Sequence, residues 1–101
     1  MADMAPDIAV ITGAASGIGA GLAREAARRG LRVVLADRDA AALGVVAADI
    51  GPAATAIATD VTDRAALEAL ADAAFALGPV SLLFNNAGVL STGRCWEIDA
   101  A

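Results

Sequence analysis

Short apolar runs alternate along the chain with segments of helical periodicity. Asp7-Ile8-Ala9-Val10-Ile11-Thr12 is a compact apolar run that stops at Gly13, the pattern of a strand buried on both faces. Gly17 to Arg29 follows at helical spacing, with Ile18, Leu22 and Ala26 expected on the core face and Arg24, Arg28 and Arg29 largely off it. Arg28 and Arg29 complement the helix dipole in the last turn, and Gly30 supplies the stop. Arg32 to Asp37 is a second strand around Val33-Val34-Leu35. Ala40 to Ile50 is a second helix with Leu43, Val46, Ala47 and Ile50 at helical spacing, closed by Gly51-Pro52.

Ala53 to Asp60 reads as a third strand, weakened by its alanines. Thr62 is the expected cap of a helix from about Asp63 to Leu77, with Leu67, Leu70, Ala71 and Ala74 inward and Arg64, Glu68 and Asp72 outward. Gly78-Pro79 ends it, Val80 to Phe84 is a fourth strand, and Asn85 to Gly93 a loop. Trp96 to Ala101 approaches a further helix. Strict β-α alternation specifies an α/β fold with a doubly wound parallel sheet, Rossmann-like, of about four strands and three helices. Residues 1–6 are expected to be a tail and residues 7–101 a partial domain of this fold.

Composition narrows the chemistry. The 101 residues are 58% hydrophobic but only 3% aromatic, so the core must be built from Ala, Val, Leu and Ile. A net charge of −5 argues against nucleic acid or an anionic membrane surface as partner. The chain has no His, Tyr or Lys, which excludes a Ser-His-Asp triad, a His-ligated metal site, a Schiff-base lysine and a Tyr-Lys acid–base pair. Cys95 has no partner for a disulfide, so the expected compartment is reducing and cytoplasmic. No His or Lys is present to lower its pKa, and a bland loop thiol is the simpler reading than a reactive one. The uncharged stretch from Ala73 to Gly93 is long enough to span a bilayer. Gly78-Pro79 and Asn85-Asn86 interrupt it, and it reads instead as helix end, turn, strand and loop.

Polar or glycine-rich elements follow every strand. The first junction is Thr12-Gly13-Ala14-Ala15-Ser16-Gly17-Ile18-Gly19. One Gly permits the tight turn, another lets backbone approach a pyrophosphate, and the last allows close helix–strand packing. Free N–H groups at the helix start then favour phosphates. A plain tight turn is the competing reading. Asp37 ends the second strand 18 positions after Gly19, close to the roughly 20 expected of the acid that accepts from an adenosine ribose. Alone, Asp37 is equally a solvated strand end or part of a helix start. Asp60-Val61 follows the third strand and Asn85-Asn86-Ala87-Gly88 the fourth.

The spacing Thr-Gly-x-x-x-Gly-x-Gly, with Asp60 after strand three and Asn-Asn-Ala-Gly after strand four, resembles the classical short-chain dehydrogenase/reductase family from Asp7 to about Asp99. The resemblance implies that Gly13, Ser16, Gly17, Ile18 and Gly19 hold the cofactor pyrophosphate and adjoining ribose. Asp37 would bind the adenosine ribose, Asp60 and Val61 would flank the adenine, and Asn86, Ala87 and Gly88 would line the ribose near the nicotinamide. Asn85 would tie the central strands together. Ser16, where users of NADP often carry a base, and the acid at Asp37 both lean to NAD. Arg38 pulls towards NADP, since a guanidinium pairs with a 2′-phosphate.

Family members interconvert small alcohols and ketones with a Ser and with a Tyr whose pKa is helped down by a Lys four residues later. This chain has neither Tyr nor Lys, and Ser81 and Ser91 lack a base. No catalytic residue and no metal ligand is therefore assigned. The expectation is the N-terminal, cofactor-binding part of an NAD(P)-dependent short-chain oxidoreductase, inactive by itself. Homo-oligomers would be a property of the full-length protein only. A stand-alone dinucleotide-binding or regulatory module and a non-functional remnant are the alternatives. Trp96 is expected to pack at the next helix start or cover the cleft, and Glu97 and Asp99 to be helix-start acids.

Overall fold

A computed structural model describes residues 7–85. Four strands and three helices alternate: β1 (Ile8–Thr12), α1 (Gly17–Arg28), β2 (Arg32–Asp37), α2 (Ala40–Ile50), β3 (Ala54–Ala58), α3 (Arg64–Leu77) and β4 (Val80–Asn85). The strands form one parallel sheet in the order β3-β2-β1-β4. Two crossovers lead from β1 outward to β3, and the third returns across β1 to β4. The direction of winding therefore reverses between β1 and β4, the place where sheets of this kind open a crevice at their C-terminal edge.

Alternation along the strands divides the core in two. Ala9, Ile11, Val33 and Leu35 face α1 and α2 and pack with Ala20, Ala23, Ala26, Leu43 and Val46. Ile8, Val10, Val34 and Ala36 point the other way, onto Leu70 and Ala74 of α3. β1 is buried at every position, as its unbroken apolar run requires. The doubly wound parallel sheet expected from the β-α alternation is the observed fold.

Turn chemistry sets the boundaries. α1 ends in a Schellman motif: Leu31 N–H donates to Ala26 C=O at 3.1 Å and Gly30 N–H to Ala27 C=O at 3.0 Å, with Gly30 at φ 91°. α2 and α3 start on Asp39 and Asp63, whose carboxylates accept from first-turn N–H groups.

Several sequence expectations need correcting. Ile18 is 71% exposed; Ala26 is buried as expected, but Ala20 and Ala23 join it on the buried face in place of Ile18. Leu67 and Ala71 are likewise exposed on α3, where Leu70 and Ala74 are the buried residues. Thr62 does not cap α3. Its N–H and hydroxyl both turn back to Asp60, and Asp63 takes the cap because its carboxylate reaches the N–H groups of Ala65 and Ala66. Asn85 closes β4 rather than opening a loop. Ser81 is an extra residue there: Ile8 pairs with Val80 while Ala9 pairs with Leu82. The uncharged stretch from Ala73 is divided into the end of α3, a turn and β4. No helix among the described residues is long and apolar enough to cross a membrane. The expectations for Asn86, Ala87, Gly88, Ser91, Cys95, Trp96, Glu97 and Asp99 lie outside the described residues.

Candidate functional site

The C-terminal edge of the sheet gathers the turn from Gly13 to Gly19, Asp37 and Arg38 after β2, Asp60 and Val61 after β3, and Asn85 at the end of β4. Each arrives there because a parallel strand delivers its last residue to the same side.

The turn is held tightly from within. Gly13 adopts φ 66°, in the left-handed region that favours glycine. Ser16 N–H donates to Gly13 C=O at 3.2 Å, and the Ser16 hydroxyl donates to the same oxygen at 2.8 Å. Gly19 is buried directly beneath, where a Cβ would stand 2.2 Å from the Gly13 carbonyl oxygen. Gly17 is different: a Cβ there would meet no protein atom within 4 Å. The glycine at Gly19 is thus explained by the protein's own packing, and the one at Gly17 is not.

The start of α1 contrasts with the other helices. Its N-cap, Ser16, makes no side-chain capping bond, whereas Asp39 and Asp63 cap α2 and α3 through their carboxylates. An α-helix begins with about four N–H groups lacking intrahelical partners. The contrast with the capped starts of α2 and α3 leaves the amide dipoles of the glycine turn aimed at the sheet edge.

Asp37 is half-buried and lies between two loops. Its Oδ2 accepts from Ala15 N–H and its Oδ1 from Asp39 N–H, each at 3.0 Å. Its carbonyl accepts from Thr59 N–H at 2.9 Å, linking the end of β2 to the end of β3. An ionised carboxylate has about four acceptor directions, so both oxygens keep capacity for a further donor.

Asp60 accepts from the Thr62 hydroxyl at 2.6 Å and from Thr62 N–H at 2.9 Å, both through Oδ1. The hydroxyl bond, then the backbone bond, and then the nearby Arg38 guanidinium hold its carboxyl below the usual carboxylate range. Arg38 is exposed beside this acid. Across the switch point, the Thr12 hydroxyl donates to Asn85 Oδ1 at 3.0 Å and faces Phe84 C=O at 3.3 Å. Thr12 and Asn85 are register partners, so Asn85 ties β1 to β4.

Sequence reasoning missed the bond from Ala15 N–H to Asp37. A main-chain donor has no letter of its own, and its only signal is that Asp37 stands one residue beyond Ala36, the register partner of Thr12. A shallow, open groove lined by Arg24, Ala27, Arg28, Asp49, Ile50, Pro52 and Ala53 lies at the opposite edge, by the C-terminal ends of α1 and α2. It shares no residue with this constellation.

Residues 7–101 match the profile of the short chain dehydrogenase family. Over 94 residues the chain is 46% identical to galactitol 2-dehydrogenase (L-tagatose-forming) of Cereibacter sphaeroides, covering 92% of this chain and 37% of that protein. Among solved structures, 3-ketoacyl-(acyl-carrier-protein) reductase from Brucella melitensis, complexed with NADH, superposes with a TM-score of 0.74 at 44% identity, over 76% of this chain and 32% of that one. A short chain dehydrogenase/reductase from Burkholderia phymatum in complex with NAD gives 0.73 at 41% identity, over 82% and 31%. The chain therefore spans about a third of the length of these relatives.

Proposed function

Because the chain belongs to the short chain dehydrogenase family, we propose that it is the cofactor-binding part of an NAD(P)-dependent oxidoreductase and holds NAD at the C-terminal edge of its sheet. The observation that carries this reading is the pairing of the uncapped start of α1 with the Asp37 carboxylate at the end of β2. Phosphate oxygens would take the N–H groups of Gly17, Ile18 and Gly19, with Gly13 and Ser16 shaping the turn. The space over Gly17 is open, as close approach of a ligand to backbone requires.

The remaining acceptor capacity of Asp37 suits the two hydroxyls of an adenosine ribose. A carboxylate there repels a 2′-phosphate, which favours NAD over NADP. Arg38 works in the opposite direction, but its charge is shared with Asp60. Asp60 would accept from the adenine amino group, with Val61 against the ring. Asn86, Ala87 and Gly88 would line the ribose on the nicotinamide side.

A bound nicotinamide supplies hydride transfer to or from the carbon of an alcohol or ketone. What this chain's own residues do is bind and orient: the turn fixes the phosphates, Asp37 the ribose, and the Thr12–Asn85 tie keeps β1 and β4 in register at the switch point. The sequence contains no Tyr and no Lys, so no side chain here combines a phenol with a neighbouring ammonium for proton transfer. The polypeptide of this sequence is proposed to bind without turnover.

Calorimetric titration of the purified chain tests the reading. Saturable NAD binding, tighter than NADP, is expected, together with no alcohol-dependent NADH formation. Absence of saturable binding to either dinucleotide overturns it, and sustained NADH formation overturns the inactivity.

A further inference from the structure

We propose that Asp37 is also a positioning residue for the phosphate-binding turn, so that the acid expected to select the ribose sets the geometry of the pyrophosphate subsite as well. The proposal rests on the dinucleotide reading above. The β1–β2 pairing continues past the end of β1, with Ala14 N–H donating to Ala36 C=O at 3.1 Å. One residue further on, the next bond from the turn goes to a side chain: Ala15 N–H donates to Asp37 Oδ2 at 3.0 Å. The other carboxylate oxygen is anchored by Asp39 N–H at 3.0 Å, and the Asp37 carbonyl by Thr59 N–H at 2.9 Å.

The carboxylate is thereby fixed at one oxygen and bears on the turn with the other. Ala15 immediately precedes Ser16, the N-cap of α1, so the bond holds the turn just before the N–H groups that would face phosphate. A charge-assisted hydrogen bond of this kind is about twice as strong as a neutral one. Bracing and ribose binding are compatible, because two N–H donors occupy only half of the about four acceptor directions of a carboxylate.

A ligand with phosphate but no ribose separates the two roles by sign. If Asp37 acts only through its charge and the ribose, it repels inorganic pyrophosphate, and removing it tightens that ligand. If Asp37 braces the turn, removing it weakens pyrophosphate, because the site must be ordered on binding. The same logic applies to NADP: loss of repulsion alone would admit it, whereas loss of the brace would not.

The test compares the full chain with Asp37→Ser and Asp37→Asn by titration with NAD, NADP and inorganic pyrophosphate. Amide hydrogen exchange without ligand is followed alongside. Asp37→Ser is expected to weaken NAD by about tenfold or more and pyrophosphate by about threefold, with no gain for NADP, and to speed exchange at Ala15 by about tenfold. Asp37→Asn keeps the shape and one acceptor oxygen and should fall between. It carries the same test should the Ser variant not fold. Unchanged exchange at Ala15 in both variants overturns the brace, whatever the ligands do. Faster exchange with unchanged or tighter pyrophosphate overturns its role in binding. A parent chain that binds none of the three ligands overturns the dinucleotide reading and the positioning role with it, while the exchange rates still report whether the brace exists.

Discussion

A Cβ on Gly19 would stand 2.2 Å from the carbonyl oxygen of Gly13 and 2.8 Å from its carbonyl carbon. Both neighbours are backbone, so relief requires the turn itself to move. Gly19→Ala is expected to cost about 1–3 kcal/mol, the usual range for overpacking a tight contact, and to weaken dinucleotide binding more than that loss alone explains. Urea unfolding and an NAD titration of the same preparation measure the two effects. A variant with parental stability and affinity would show that α1 can slide away from Gly13 freely.

Gly44 gives the opposite sign. It lies exposed in the interior of α2, and a Cβ there would meet no atom within 4 Å. Gly44→Ala removes backbone freedom from the unfolded chain without a clash, and should stabilise by about 0.5–1 kcal/mol. A lower urea midpoint for this variant would contradict the helical placement of Gly44.

How much of this was readable in advance depended on which residues carried the signal. Element order and most boundaries were legible because Gly13, Gly30, Gly51 and Gly78, all at positive φ, punctuate the apolar runs. Helix faces were less so. Periodicity weights large side chains, yet α1 presses Ala20, Ala23 and Ala26 on the sheet and leaves Ile18 outside. In an alanine-rich chain the small face is the one that packs closely, and Leu67 on α3 misleads in the same way. At the start of α3, Thr62 and Asp63 are both good caps on paper; Asp60 decides between them by engaging Thr62. The glycine turn and Asp37 were legible as a motif, but their direct bond through Ala15 N–H was not.

Acid should weaken the fold through Asp60 and Glu25. Thr62 lowers the pKa of Asp60, chiefly through its hydroxyl. Glu25 is lowered first by its hydrogen bond with Arg29 and then by the charge of Arg28. A carboxylate whose folded pKa is depressed stabilises above its unfolded pKa, and that contribution is lost as pH falls through the folded value. Stability is therefore expected to be level near neutrality and to decline below the ordinary carboxylate range, at about pH 4. Thr62→Val should move the Asp60 carboxyl titration, followed by NMR, back up towards its usual value. An unshifted titration would show that the Thr62 hydroxyl does not set it.

β4 is an edge strand of the described sheet, and none of its residues from Val80 to Asn85 is charged. Leu82 and Leu83 are 41% and 44% exposed, and by register they fall on opposite faces, beside Ala9 and Val10. Edges of this kind invite pairing with another chain unless a charge, a proline or a covering segment blunts them. The bulge at Ser81 sits at the start of the strand and leaves Leu82 to Asn85 paired in regular register with β1. The purified chain is accordingly expected to self-associate as its concentration rises, and Leu83→Lys to shift it towards monomer by placing an ammonium on the edge. Sedimentation velocity across a wide concentration range distinguishes the two chains. A parent chain that stays monomeric at its highest concentration would show that this edge does not template association.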